Sequence, residues 1–105
     1  MVEPERAPSS SIPQQTLERC AAAFRMLAHP DRLRIVEALE PGERTVQEIA
    51  ASIGLPQPAT SQHLNQMKSR GLLGSRRRGR RVAYFIVDPS ATVILNCVRD
   101  HACGA

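Results

Sequence analysis

The chain has 105 residues, 42% of them hydrophobic and 23% charged, with no tryptophan and only Phe24, Tyr84 and Phe85 as large aromatics. That is one domain's length, burying roughly two-thirds of the unfolded surface around an aliphatic core; it excludes a multidomain enzyme, and the lack of any run of about 18 apolar residues excludes a membrane-spanning helix. The net charge is +4, and every basic residue except Lys68 is arginine, whose planar fork suits phosphate.

Residues 1–13, MVEPERAPSSSIP, are Pro-, Ser- and charge-rich and predict a flexible tail ahead of a folded domain over 14–105. Residues 14–28 read as a helix with Leu17, Cys20/Ala21, Phe24 and Leu27/Ala28 on one stripe. Pro30 suits the first turn of a second helix, with His29 at its start, Leu33, Ile35/Val36 and Leu39 inward, and Pro41-Gly42 as its stop. Thr45-Val46-Gln47-Glu48 is a capping-box pattern opening a short helix that Gly54 ends as a left-handed cap. Pro58 suits the first turn of a fourth helix, running to about Arg70 with Ala59, Leu64 and Met67/Lys68 as its apolar positions and Gly71 beyond. The period then changes: 72–77 and 81–87 read as strands around Arg78-Gly79-Arg80. Asp88-Pro89 looks like the cap and first residue of a last helix reaching about His101, with Ile94, Leu95 and Val98 as its stripe. The expected fold is mainly α with a small β-hairpin (α+β), a winged helix-turn-helix in the order α-α-α-α-β-β-α.

The charge follows this division. Residues 1–48 carry six arginines against eight acids, residues 49–87 carry seven bases and no acid, and residues 88–105 carry one base against two acids. The entire basic excess therefore falls on the fourth helix and the hairpin, the footprint of a nucleic-acid-binding face. Three cysteines (Cys20, Cys97, Cys103) make an odd count, and Glu3-Pro4 stands where a secretory signal would be basic and then apolar. Cytosolic, unpaired thiols are expected, not a disulfide scaffold.

LAHPDRLRIVEAL, TVQEIAASIGLPQPATSQHLNQMKSRGLL and GRRVAYFIV together resemble the ArsR/SmtB family of bacterial winged-helix repressors, over about residues 16–103. The resemblance implies a cytoplasmic bacterial repressor, homodimeric on a palindromic operator, with no membrane role, no enzymatic activity and no permanent cofactor. The sequence departs from the family at Pro56, where a Ser usually caps the recognition helix. Apolar stripes on the first and last helices are more than so small a core can bury, which agrees with pairing of the terminal helices across a two-fold axis.

A recognition helix presents its outward N-terminal residues to the major groove, here Gln57, Ala59, Thr60, Ser61, Gln62, His63 and Gln66, with Thr60, Ser61 and His63 foremost. Gln pairs bidentately with adenine, Ser and Thr reach base edge or phosphate, and Ala59 or the Thr60 methyl can meet a thymine methyl. Any single one is more apt to position on phosphate than to specify a base. Arg76, Arg77, Arg78, Arg80 and Arg81 form the wing, directed at phosphate or the adjacent minor groove, and Lys68 joins them from the helix end, where cations also offset the helix dipole.

The resemblance further implies an inducer. The family's cysteine motif before the recognition turn is absent from TVQEIAASI, its Asp/His/Glu set on the last helix is reduced to Asp88 and His101, and its second-helix cysteine is absent from RLRIVEALE. Cys97 and Cys103 remain, resembling C-terminal sites for trivalent arsenic, with Cys20 as a third candidate sulfur; soft thiolates select such ions. Six helical residues put Cys97 and Cys103 about 120° apart, so sharing one ion requires the helix to fray after Asp100. A zinc-type set of Cys97, His101 and Cys103 competes, as does a thiol redox or persulfide switch. A winged helix that binds protein rather than DNA is the alternative outside this class. Cys20 lies on an apolar stripe, where a free thiol also serves as a small hydrophobe.

Overall fold

The computed structural model describes residues 11–104, and side chains as far as 102. Most of the expected tail, residues 1–10, and the Cys103 side chain lie outside the described residues. The elements are α1 (Gln14–Leu27), α2 (Pro30–Leu39), β1 (Arg44–Thr45), α3 (Val46–Ile53), α4 (Gln57–Ser69), β2 (Leu73–Arg78), β3 (Arg81–Ile86) and α5 (Ser90–Gly104). The winged helix-turn-helix is as expected, with one added strand. β1 is two residues long, too short for any alternation to register in sequence, yet it pairs antiparallel with β3 through Arg44 with Tyr84 and Thr45 with Ala83. The sheet order is β1-β3-β2. β2 and β3 pair from Leu73 with Ile86 to Arg78 with Arg81, and Gly79, at φ +65°, makes the turn between them.

Local chemistry accounts for most element ends. The Thr45 hydroxyl accepts from the Glu48 amide at 3.2 Å while the Glu48 carboxylate accepts from the Thr45 amide at 2.9 Å, completing the capping box. Those bonds favour the ionised carboxylate and hold Glu48 below its ordinary pKa. Gly54 ends α3 in the left-handed region at φ +73°. The Asp88 carboxylate accepts from the Ser90 amide at 2.9 Å, capping α5. At α2 the cap is His29, whose Nδ1 accepts from the Asp31 amide at 3.2 Å.

Two helices depart from expectation. α4 begins one residue early, at Gln57, with Pro56 before it and no side-chain cap. Its first turn closes on the Pro56 carbonyl, which accepts from both the amide and the hydroxyl of Thr60 at 3.0 Å. α5 does not fray after Asp100 but continues helically to Gly104.

One core holds these elements together. Ala23 and Leu27 of α1, Ile35, Val36 and Leu39 of α2, Ile49 of α3, Leu64 and Met67 of α4, Leu72, Leu73 and Tyr84 at the hairpin, and Ala91, Ile94 and Leu95 of α5 form a single cluster. Each large aliphatic side chain sealed there contributes about 1.5–3 kcal/mol. α1 is rotated from its expected setting. Ala23 and Leu27 face the core, while Leu17 and Phe24 of the predicted stripe stay exposed, Phe24 at 54%. Residues 20, 23 and 27 make one stripe and 17, 24 and 28 an adjacent one, and a single neighbouring surface covers only the first.

Candidate nucleic-acid interface

α3, the turn at Gly54 and α4 form the helix-turn-helix, and the β2–β3 hairpin is the wing. Packing sorts the recognition-helix residues. Thr60, Leu64 and Met67 stand at i, i+4 and i+7 and are fully buried. Thr60, expected to face DNA, is therefore a core residue: its hydroxyl is spent on the Pro56 carbonyl and its methyl lies in the core. Counting back from Leu64 and Met67 would have placed it there. Gln57 and Gln62 are exposed, Ala59 and Ser61 half-buried, and Lys68 exposed near the end of the helix.

His63 and Gln66 are held from behind. Arg32 of α2 donates from Nε to His63 Nδ1 at 3.1 Å, from one terminal nitrogen to the Met26 carbonyl at 3.2 Å, and from the other to Gln66 Oε1. One guanidinium thus joins the end of α1, the start of α2 and the middle of α4. His63 stacks edge-on against His29, ring centres 4.8 Å apart. Burial first, then the charges of Arg32 and His29, hold His63 below its ordinary pKa. The ring is therefore neutral near pH 7. With Nδ1 accepting from Arg32, its proton sits on Nε2, 4.0 Å from the Asp31 carboxylate.

His29, Asp31 and His63 are the three-donor group among the described residues whose ligand atoms come within 4.8 Å of one another. Both rings already use Nδ1 as an acceptor. A metal on either Nε2 would move the proton to Nδ1 and set it against the Asp31 amide or the Arg32 guanidinium. This donor set therefore suits a hydrogen-bond junction better than a metal.

Sequence reasoning missed three further participants. Asn65 lies on the exposed face of α4, and its Oδ1 accepts from the Tyr84 hydroxyl at 2.9 Å, tying α4 to the wing. Burial raises the Tyr84 pKa, so the phenol stays a donor. Arg32 lies 31 residues from His63 in the chain, and nothing local marks the pair. Glu43, just before β1, reaches the wing and accepts from Arg76 Nε, with N–O distances of 2.9 and 3.1 Å, and lies 3.6 Å from Arg78 Nε. Arg76, Arg77, Arg78, Arg80 and Arg81 are all exposed.

Cys97 is exposed and Cys20 half-buried, both reduced. The α5 backbone runs helically past residue 103. Cys97 and His101 border an apolar hollow lined by Phe24, Leu27, Leu33 and Val98.

An acid-free helix-turn-helix end followed by an arginine-rich hairpin defines a winged helix-turn-helix domain. Residues 29–75 match the family described as bacterial regulatory protein, arsR family. The HTH-type transcriptional repressor SmtB of Mycobacterium tuberculosis (strain H37Rv) is 36% identical over 87 residues, which are 82% of this chain and 64% of that protein. This chain therefore spans just under two-thirds of that relative's length. Among solved structures, the AntR antimony-specific transcriptional repressor superposes over 100% of this chain and 98% of its own, with TM-score 0.78 and 28% identity. The homodimeric winged helix-turn-helix domain of Mb0332 from Mycobacterium bovis covers 91% of this chain and 89% of its own, with TM-score 0.72 and 32% identity. The chain belongs to the ArsR family. No helix among the described residues is long and apolar enough to cross a membrane.

Proposed function

We propose that this protein is a homodimeric, operator-binding transcriptional repressor that lets go of DNA when a thiophilic ligand, trivalent arsenic as arsenite or an organoarsenical, binds its C-terminal cysteines. One observation carries the DNA-binding reading: residues 49–87 fold into a recognition helix and wing whose seven cations are all exposed, with no acid among them. Gln57, Ser61 and Gln62 are the base-reading candidates. Ala59 and the Gln66 amide flank them, and Lys68 and the wing arginines neutralise phosphate.

Dimerisation is supported by the apolar surface that the monomer leaves open. Leu17, Phe24 and Val98 are exposed on the two terminal helices, and Phe24 and Val98 border one hollow. A second copy would cover them, as the homodimeric state of the Mycobacterium bovis domain suggests.

The sensing half rests on Cys97, an exposed thiol on that seam, with Cys20 one turn from Phe24 on the neighbouring helix. Antimony in the name of the AntR repressor fits the same chemistry, because trivalent arsenic and antimony both prefer thiolates. Positions 97 and 103 are about 120° apart on a regular helix, so a shared ion requires local unwinding or a sulfur from another helix, Cys20 or a cysteine of a second copy. Two residues beyond Cys97, Arg99 grips Glu40, the residue that caps the C-terminus of α2, through both terminal nitrogens, at 2.6 and 3.2 Å. The other end of α2 carries Arg32, which holds α4. α2 thus links the thiol-bearing helix to the recognition helix.

Fluorescence anisotropy with the full chain and a duplex from upstream of its own gene tests this. Binding that falls steeply with salt and is reversed by arsenite in the wild type, but not in Cys97→Ser/Cys103→Ser, is expected. Release of that double variant by arsenite overturns the cysteine assignment. Release by zinc alone or by polysulfide alone assigns a different inducer.

A further inference from the structure

We infer that Glu43 is a built-in counterion of the wing, which lowers its affinity for DNA of any sequence by screening Arg76 and Arg78. This rests on the duplex-binding reading above. Arg76 and Arg78 are two residues apart on β2 and share one face of the strand, while Arg77 takes the other. Glu43 enters from the far edge of the sheet, beside β1, and spans β3 to meet both. The carboxylate is the fixed partner, its side chain 22% exposed against 66% for Arg76. Among the described residues, Arg77, Arg80 and Arg81 have no ion-pair partner.

The consequence is competitive. Glu43 holds only the Nε edge of each guanidinium, so a phosphate reaches the terminal nitrogens of Arg76 or Arg78 either by displacing Glu43 or with its carboxylate alongside, and in both cases the negative charge of Glu43 works against it. On an operator, base contacts from α4 add to the binding but leave that cost unchanged. On other duplexes binding is almost wholly counterion release, so there the net charge of the wing sets most of the affinity. Glu43 therefore lowers affinity for any duplex the wing touches, by about the same factor for operator and non-operator DNA.

The test is anisotropy of the full chain with a scrambled duplex and with the upstream duplex of equal length, across about 50–200 mM salt, a range over which each phosphate contact changes affinity about threefold. Glu43→Gln should bind the scrambled duplex about three- to tenfold more tightly at the low-salt end. Its salt slope should steepen by about one to two contacts per protomer, and it should gain about the same factor on the upstream duplex. In an Arg76→Gln/Arg78→Gln background the same change should do nothing. Arg77→Gln should weaken scrambled-duplex binding more than Arg76→Gln, because only Arg76 has a carboxylate to give up. An unchanged slope, weaker binding to both duplexes, or an equal gain in the Arg76→Gln/Arg78→Gln background overturns the inference while leaving the DNA reading intact. Absence of duplex binding by the wild type overturns both.

Discussion

Arg32 is a clear case of a residue whose role is set by what its fork can reach. Its donors meet an imidazole nitrogen, an amide oxygen and a backbone carbonyl on two other helices, a fan that an ammonium group does not reproduce. Hydrogen bonds from a charged donor contribute about 1.5–3 kcal/mol. Arg32→Ala is expected to lower stability by about 1–3 kcal/mol in thermal unfolding, and Arg32→Lys to recover little of it. His63 adds a pH dependence of definite sign. Its folded pKa lies below the ordinary 6.5, so as pH falls past that value the unfolded chain takes up the proton first and the folded state loses stability. The loss levels off once the folded ring also protonates. His63→Gln, which keeps an acceptor for Arg32 but cannot titrate, should flatten this acid limb in denaturant melts at pH 5–7. An unchanged limb would remove His63 as its source.

At the scale of the element, α3 was the most legible piece. Its start rests on two side chains three residues apart and its stop on one glycine, so the capping box and Gly54 could be named from the letters alone. Thr45→Ala removes one half of the box and should cost about 1 kcal/mol in thermal unfolding. α4 was legible in extent but not in orientation. A threonine at a core position looks like any polar residue until Leu64 and Met67 are seen to share its face. Thr60→Val, which keeps the shape and drops the hydroxyl, should leave binding to the upstream duplex near wild type, whereas Gln62→Ala should weaken it. A large loss of affinity with Thr60→Val at unchanged fold would restore Thr60 to the DNA face. The wing was legible in charge, while its tether to Glu43 was not, because 33 residues separate Glu43 from Arg76.

At the scale of the whole molecule, the proposed dimer places its seam on the apolar surface of α1 and α5. Phe24→Glu or Val98→Glu would set a carboxylate into that seam, where burying an unpaired charge is costly. Sedimentation should then show monomers with wild-type helix content and weakened operator binding, since a lone protomer grips one half-site. Dimers that persist in both variants would move the seam elsewhere.

The sequence by itself determined what depends on near neighbours and on composition. Helix starts and stops follow from caps and prolines, the hairpin from a change of period around Gly79, the aliphatic core from the scarcity of aromatics, and the basic face from an acid-free run of residues. Tertiary structure decided what depends on which faces meet. Packing turned Thr60 inward and Phe24 outward, because a helix with two adjacent apolar stripes can bury only the one its neighbour covers. It also brought Arg32 to His63 and Glu43 to the wing, pairings between residues about thirty positions apart that only the folded chain brings within hydrogen-bonding distance.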